Sequence, residues 1–217
     1  ALFASISSED TQKSFKYLVV CPTSVIYHWQ NLLEKFLPSF KVVVYHGFSR
    51  KLNDFEKNGD VLVTSYGIVR SETATFKAIK FEVAVFDEIQ IAKNQNSQIH
   101  KSLMHINSSM RLGLTGTPLE NRLRELKSVF DLVLSGYLPD SAGFREMFVN
   151  PIEKNGDQSK KRLLSQLIKP FVLRRKKDEV LSDLPEKIEE IAYCDLSQDQ
   201  QQLYKETVFS TKEVFLN

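Results

Sequence analysis

Two adjacent carboxylates follow one of the most apolar stretches of the sequence. Val83–Phe86 reads VAVF and runs directly into Asp87 and Glu88. An apolar strand that ends in this way places both side chains at the carboxyl edge of a parallel sheet, where open α/β folds bind their ligands. In a nucleotide hydrolase, Asp87 would hold Mg²⁺ and Glu88 would polarise the attacking water. A strand end that simply turns into solvent is the competing interpretation.

Three other apolar runs end in hydroxyl-bearing or tightly turning segments. These segments are Pro22, Thr23 and Ser24; Thr64, Ser65 and Tyr66; and Thr115, Gly116 and Thr117. Backbone N–H groups and hydroxyls at such positions can bind phosphate groups, and a turn fixed by Gly116 and Pro118 suits a sensor of the γ-phosphate. A helix cap or a plain turn explains each segment taken alone. Four strand ends with suitable chemistry, in order along the chain, favour a site for nucleotide and nucleic acid.

Five short apolar runs predict the strands that carry these segments. They are Tyr17–Cys21, Lys41–Tyr45, Val61–Thr64, Val83–Phe86 and Leu112–Thr115. Such runs are apolar on both faces, as expected for a parallel sheet covered by helices on both sides. Ser24–Leu37 lies between the first two runs, with Ser24 as a possible cap, and predicts a helix. Its apolar face would consist of Val25, Trp29, Leu32, Leu33 and Phe36. The pattern predicts a doubly wound α/β fold.

Helices dominate the sequence after Pro118. The apolar spacing of Asn121–Ser135 predicts a helix that Gly136 ends. Ile188–Tyr193 has the composition of a further strand, and Ser197–Leu216 that of a polar helix with a thin apolar face. These elements predict a helical region appended to the α/β domain.

Charge is distributed unevenly along the chain, although the net charge is only +2. The segment from Ser159 to Lys177 contains no acidic residue and eight basic ones: Lys160, Lys161, Arg162, Lys169, Arg174, Arg175, Lys176 and Lys177. Such a block is a candidate surface for phosphate contacts. A solvated face that is balanced by acidic residues elsewhere is an equally good interpretation.

The composition predicts an ordered protein that is neither secreted nor embedded in a membrane. Hydrophobic residues make up 42% of the 217 residues, and no apolar run approaches the roughly 18 residues of a membrane span. Cys21 and Cys194 lack metal or redox spacing, which favours a reducing compartment. We expect a soluble protein of the bacterial cytoplasm or the eukaryotic nucleus.

The order of these segments resembles the SNF2 family of superfamily 2 helicase-like ATPases. Four segments are similar to helicase motifs Ia, Ib, II and III: Leu18–Trp29, Val61–Tyr66, Phe86–Asn94 and Leu114–Asn121. Three more resemble marks of the SNF2 family itself: Tyr45–Gly47, Gly136–Glu153 and Pro170–Lys187. The resemblance covers nearly the whole chain and implies a RecA-like lobe of an ATP-dependent motor that tracks double-stranded DNA.

The resemblance also implies roles for individual residues. Asp87 would coordinate Mg²⁺, Glu88 would activate water, and Gln90 would link the nucleotide to DNA-sensing elements. Residues expected to couple hydrolysis to movement are Thr115, Gly116 and Thr117. Residues expected to contact DNA are Pro22, Thr23, Ser24, Thr64, Ser65, Lys93, Asn94, Lys160, Lys161 and Arg162. A brace would contain Arg174 and Arg175. The implied cofactors are ATP and Mg²⁺, and the implied partners are double-stranded DNA and protein complexes bound to it.

The sequence departs from the family pattern near the carboxylates. Ile89 stands where a small alanine is usual, Ala92 where a larger aliphatic residue is usual, and Glu120 where glutamine is usual. The smaller Ala92 predicts altered packing after the carboxylates, and Glu120 adds a negative charge near a loop that would face DNA.

The resemblance predicts that this chain is a fragment of a larger motor and that it has three parts. Residues 1–119 would form the RecA-like lobe, 120–170 a helical protrusion, and 171–217 a brace and linker. No GxGKT segment occurs in the sequence, and Ala1–Ile6 resembles the end of the helix that usually follows one, so we expect this chain alone to be inactive. A non-catalytic module that docks DNA or protein is the alternative, which the Asp87 and Glu88 pair disfavours. A motor of a sister helicase family is disfavoured by Pro170–Lys187.

Overall fold

The structure is a computed structural model that describes residues 2–9, 15–116, 123–175 and 194–215, with only the backbone given for 7–9 and 209–215. The chain divides into two compact units, Ala1–Pro170 and Phe171–Asn217. The first unit contains the sheet and most of the helices. The second contains one long helix.

A five-stranded sheet forms the centre of the first unit. Its strands are β1 (Tyr17–Cys21), β2 (Val42–Tyr45), β3 (Val61–Ser65), β4 (Lys80–Asp87) and β5 (Asn107–Leu114). All neighbouring pairs are parallel, in the order β2-β3-β1-β4-β5. The predicted α/β fold with a doubly wound parallel sheet is therefore confirmed. The main difference is β5, which begins five residues before the predicted Leu112 and ends at Leu114 rather than Thr115.

The register brings the carboxyl ends of the strands to one edge of the sheet. Cys21 at the end of β1 pairs with Ser65 at the end of β3, and Asp87 at the end of β4 pairs with Leu114 at the end of β5. The segments singled out by their chemistry thus start at nearly the same level. Their proximity is a direct consequence of parallel pairing.

Helices cover both faces of the sheet. They are α1 (Leu2–Glu9), α2 (Ile26–Phe36), α3 (Asn53–Asn58), α4 (Tyr66–Ser71), α5 (Thr73–Ala78) and α6 (Gln98–Met104), with 3₁₀ turns at Thr23–Val25 and Ile89–Ala92. Alternate residues of the strands enter two separate cores. One core contains Leu18, Leu62, Ala84 and Phe86, and the other contains Tyr17, Val19, Val63 and Val83. Burial on both faces explains why the central strands are continuously apolar.

Two expectations for the helix after β1 are wrong. Ser24 does not cap it, because Ser24 lies within the 3₁₀ turn and α2 begins at Ile26 after Val25, without a side-chain cap. Phe36 was expected on the buried face but is 68% exposed, and the ammonium of Lys35 lies 5.4 Å from the centre of its ring. Leu33 is buried, as the spacing predicts.

A helical region with its own core completes the first unit. It comprises α7 (Leu123–Val133), α8 (Ser141–Phe144), a π-helical segment (Arg145–Lys154) and α9 (Gln158–Ile168), followed by a 3₁₀ turn at Lys169–Phe171. Its core contains Phe130, Leu138, Phe144, Phe148 and Leu164. The predicted helix Asn121–Ser135 corresponds to α7, and its first two residues lie outside the described ones. Gly136, at φ 78°, follows it with a backbone conformation that favours glycine.

The second unit contains α10 (Gln198–Phe215), close to the predicted Ser197–Leu216. The predicted strand Ile188–Tyr193 lies outside the described residues. Among the helices that the structure describes, none is long and apolar enough to cross a membrane.

Candidate functional site

Asp87 is held in place by three hydrogen bonds at the end of β4. The indole N–H of Trp29 on α2 donates to Oδ2 over 2.8 Å, and the backbone N–H of Glu88 donates to Oδ1 over 3.1 Å. The hydroxyl of Tyr66, the first residue of α4, donates to the main-chain oxygen of Asp87 over 2.6 Å. Both the side chain and the backbone of Asp87 are therefore fixed by elements that follow other strands.

Glu88 has a strained backbone. At φ 51° and ψ 50° it is the one non-glycine residue with positive φ among those described, a conformation that costs about 1–2 kcal/mol for a residue with a Cβ. Its carboxylate accepts a short hydrogen bond from the amide of Gln90. Such outliers persist where the surrounding structure fixes them, and they cluster at functional sites.

Two buried groups that can titrate, the Cys21 thiol and the Tyr66 hydroxyl, lie near Asp87. Burial, and to a lesser degree the charge of Asp87, raises the pKa of the Cys21 thiol to about 12. The same two causes raise the pKa of Tyr66 well above its ordinary value. The thiol also lies 3.7 Å from the main-chain oxygen of Thr64. Both groups are therefore protonated at neutral pH, and Tyr66 remains a hydrogen-bond donor.

Ile89, directly after the carboxylates, packs against a glycine of the neighbouring strand. Ile89 is buried, and its side chain packs against Gly113 on the neighbouring strand. A Cβ added at Gly113 would lie 2.6 Å from Cδ1 of Ile89. Glycine at this position therefore makes room for the larger residue.

The hydroxyl-bearing segments divide into an exposed pair and a buried pair. Thr23 and Ser24 are exposed, and within the described part of the chain neither hydroxyl has a hydrogen-bond partner. Thr64 is fully buried and donates to the main-chain oxygen of Tyr45 over 2.9 Å. Ser65 is also buried, and its hydroxyl caps α4 by accepting from the N–H of Ile68. The hydroxyls of Thr64 and Ser65 are thus used within the fold, and contact of these two residues with DNA stays a prediction.

The segment after β5 is only partly described. Thr115 and Gly116 are exposed at the same edge of the sheet as Asp87, directly after Leu114. Thr117 lies outside the described residues. The role of this segment in coupling hydrolysis to movement stays a prediction.

Lys93 and Asn94 lie where the 3₁₀ turn after Glu88 meets the helical region. Lys93 forms a 3.0 Å ion pair with Glu125 on α7, and the side-chain oxygen of Asn94 accepts from the N–H of Asn96. Both line a cavity of about 700 Å³ together with residues of α7 and α8. Lys93 is 48% exposed at its side chain, so it remains accessible to a ligand.

The basic residues Lys160, Lys161 and Arg162 lie on the first turns of α9. Asp157 caps this helix by accepting from the backbone N–H groups of Ser159 and Lys160. The hydrogen bond from the Ser159 hydroxyl is the main cause that lowers the pKa of Asp157, and the backbone bonds add to it. The helix packs on the helical core and not on the sheet, so the basic residues do not join the carboxylate pair. Arg174 and Arg175 are exposed residues of the second unit.

The chain is similar to a known protein family over its whole length. Residues 1–217 match the family described as the SNF2-related domain. The chain belongs to this family. It is 38% identical over 217 residues to YwqA of Bacillus subtilis, covering 97% of this chain. It is 34% identical over 209 residues to the chromatin-remodeling ATPase INO80 of Candida albicans, covering 88%.

A solved structure shows the same fold at similar identity. The SWI2/SNF2 ATPase core of Sulfolobus solfataricus in complex with dsDNA matches with a TM-score of 0.74 and 33% identity over 98% of this chain. The RecA-like lobe implied by the sequence is therefore confirmed. The SNF2-related chain spans 23% of YwqA, 15% of INO80 and 45% of the Sulfolobus chain.

Sequence reasoning located the carboxylates but missed their contacts. Trp29 was interpreted only as part of an apolar helix face, and Tyr66 only as the end of a hydroxyl-bearing segment. Both donate to Asp87. Their amphipathic character, a large ring with a single polar atom, is the one signal that could have suggested a buried polar partner.

Proposed function

We propose that this SNF2-related chain is part of an ATP-dependent motor that moves along double-stranded DNA or remodels complexes on it. The observation that carries the proposal is the Asp87 and Glu88 pair at the carboxyl edge of a parallel sheet. The turn Pro22–Ser24, in which Thr23 and Ser24 are exposed, follows the neighbouring strand at the same edge. A nucleotide and a nucleic acid would thus bind to adjacent segments of the chain. We propose action in the bacterial cytoplasm or the eukaryotic nucleus, where duplex DNA lies.

The site has the chemistry that Mg²⁺ requires. Each oxygen of the Asp87 carboxylate accepts one hydrogen bond and keeps a further lone pair. A buried oxygen of Gln90 lacks a partner among the described residues, which suits a bound water. Mg²⁺ commonly uses one or two carboxylates together with substrate phosphates. When bound with ATP, it would neutralise the charge that develops on the phosphates.

Glu88 would orient the attacking water. The bond from Gln90 restricts its carboxylate, and the left-handed backbone fixes the direction in which the chain leaves β4. An oriented carboxylate removes the need to organise the water during the reaction. Thr115, Gly116 and Thr117 would couple this site to movement, and Arg174 and Arg175 would act as the brace.

Contacts with DNA would involve the backbone and not the bases. We propose Pro22, Thr23 and Ser24 as phosphate ligands, with Lys93, Asn94 and the basic helix residues Lys160, Lys161 and Arg162 as further contacts. Hydroxyls, main-chain N–H groups and cations bind phosphates without reading sequence. The dsDNA in the Sulfolobus complex supports a duplex as the ligand. INO80 is named an ATPase, which supports ATP as the nucleotide that is hydrolysed.

The proposal is tested by the ATPase activity of the full-length protein. We expect hydrolysis that duplex DNA stimulates more than single-stranded DNA does. Glu88→Gln should abolish turnover and leave ATP binding largely intact, because the carboxylate stabilises mainly the transition state. Glu82→Gln, on the same strand, is the matched control and should retain activity.

Other outcomes identify the alternatives. DNA or protein binding without any hydrolysis would favour a docking module. Stimulation by single strands, together with strand separation, would favour a sister helicase.

A further inference from the structure

The indole of Trp29 connects α2 to the Asp87 carboxylate of the proposed site. Trp29 is the only tryptophan in the sequence. Its ring is half-buried and packs on the core that contains Val85 and Leu33. The indole N–H is a single donor with a fixed direction, and it points at Oδ2 of Asp87 over 2.8 Å.

Trp29 is close in the chain to the turn Pro22–Ser24, which is the proposed DNA contact. Trp29 lies in the first turn of α2, and only Val25 separates this helix from the turn Pro22–Ser24. The turn and the helix join without a gap, since the N–H of Ile26 bonds to the main-chain oxygen of Thr23. We therefore expect a displacement of the turn to be transmitted to the indole.

The hydrogen bond from Tyr66 to Asp87 differs in kind. The hydroxyl of Tyr66 contacts the main-chain oxygen, so it fixes the strand end and leaves the carboxylate free to rotate. The carboxylate also accepts from the neighbouring N–H of Glu88, which follows it in the chain. The Trp29 bond reaches the carboxylate from a different element, and it can therefore transmit a movement of that element.

We propose that Trp29 is a positioning residue that orients the Asp87 carboxylate for a divalent cation and links it to the turn Pro22–Ser24. The inference rests on the proposed function, since it takes Asp87 as a ligand of Mg²⁺ and the turn as a DNA contact. Partners of metal ligands fix the ligand's orientation, and their loss typically lowers metal affinity about 10–100-fold. DNA at the turn would change the cation affinity, and the cation would change the DNA affinity equally.

The test measures equilibrium binding and not turnover. A fluorescent, non-hydrolysable ATP analogue is titrated into the full-length protein with Mg²⁺ and with EDTA, each with and without a short duplex. We define the Mg²⁺ gain as the affinity for the analogue in Mg²⁺ divided by its affinity in EDTA, and we determine it once with the duplex and once without. Trp29→Phe keeps an aromatic ring but removes the donor. Tyr27→Phe, at an exposed position of the same helix, is the matched control, and Asp87→Asn removes the cation ligand.

We expect Trp29→Phe to lower the Mg²⁺ gain about tenfold, to leave the EDTA affinity unchanged, and to abolish the effect of DNA on the gain. Tyr27→Phe should behave as the wild type. An unchanged gain in Trp29→Phe, together with no gain in Asp87→Asn, would overturn this inference and leave the proposed function intact. A reduced gain that still responds to DNA as in the wild type would overturn the link to the turn.

A purely structural role is recognised by its pattern. If Trp29 served only to pack α2 on the sheet, Trp29→Phe would lower the EDTA affinity and the Mg²⁺ affinity together, or lower neither. Both results contradict the inference. A wild-type protein without any Mg²⁺ gain, or an Asp87→Asn variant that keeps it, would overturn the proposed function and this inference with it.

Discussion

The left-handed backbone of Glu88 leads to a stability prediction with an unusual sign. Glu88→Ala and Glu88→Gly both remove the carboxylate and its bond to Gln90. They differ only in the Cβ. At ordinary helical positions alanine is the more stabilising of the two, by about 1 kcal/mol. At Glu88, where φ is 51°, we expect glycine to be the more stabilising.

The magnitude follows from two opposing terms. A Cβ in the left-handed region costs about 1–2 kcal/mol, and glycine loses about 0.5–1 kcal/mol more backbone entropy on folding. With the middle of each range, the net advantage of glycine at Glu88 is about 0.75 kcal/mol. That difference slows exchange of the protected core amides about two- to fivefold, provided that exchange follows unfolding of the domain.

Hydrogen exchange of the β4 and β1 amides in the full-length protein, without nucleotide, measures this difference. Lys101, exposed on α6, provides the control pair, and there Lys101→Ala should exchange more slowly than Lys101→Gly. If Glu88→Ala exchanged as slowly as Glu88→Gly, the backbone of Glu88 would not be strained. The fold would then not hold Glu88 in an unfavourable conformation.

Three further predictions concern the thiols, the packing behind the carboxylates and the basic helix. Burial holds the pKa of Cys21 at about 12, so at neutral pH iodoacetamide should modify exposed Cys194 and spare Cys21 until the protein is unfolded, as peptide mass spectrometry can show. Gly113→Ala should lower the free energy of unfolding by about 1–3 kcal/mol, because the added methyl group overpacks Ile89. In denaturant titrations, the double mutant Gly113→Ala and Ile89→Ala should lose less stability than the sum of the losses in the two single mutants. Replacing the basic residues Lys160–Arg162 with alanine should flatten the slope of log affinity for duplex DNA against log salt by about 0.9 for each phosphate that is no longer neutralised, whereas an unchanged slope would mark a solvated face.

Strand positions could be predicted where strands are buried on both faces. β1 is apolar throughout and fully buried, so its limits follow directly from the sequence. β5 lies at the edge of the sheet, and its first residues, Asn107, Ser108 and Ser109, are polar. These three residues are exposed or half-buried in the structure, so they need not be apolar. The predicted start at Leu112 therefore missed the polar half of the strand.

The site was predictable in position but not in local geometry. Parallel strands bring their ends to one edge, so Asp87 had to lie there. Nothing local to Glu88 signals a left-handed backbone, because neither glycine nor asparagine is present. The contact between Trp29 and Asp87 joins residues 58 positions apart, and it depends on how α2 packs. Burial of the Thr64 hydroxyl depends likewise on the neighbouring strand, whose Tyr45 supplies the acceptor.

Displacement of a third strand from a DNA triplex by the full-length protein reports movement along the duplex itself. A motor that tracks along a duplex removes the third strand without separating the duplex. We expect ATP-dependent displacement by the wild type and none by Glu88→Gln, although the variant should still bind the duplex. Displacement that continued undiminished in Glu88→Gln, or a wild type that hydrolysed ATP on duplex DNA and never displaced the third strand, would contradict the proposed motor.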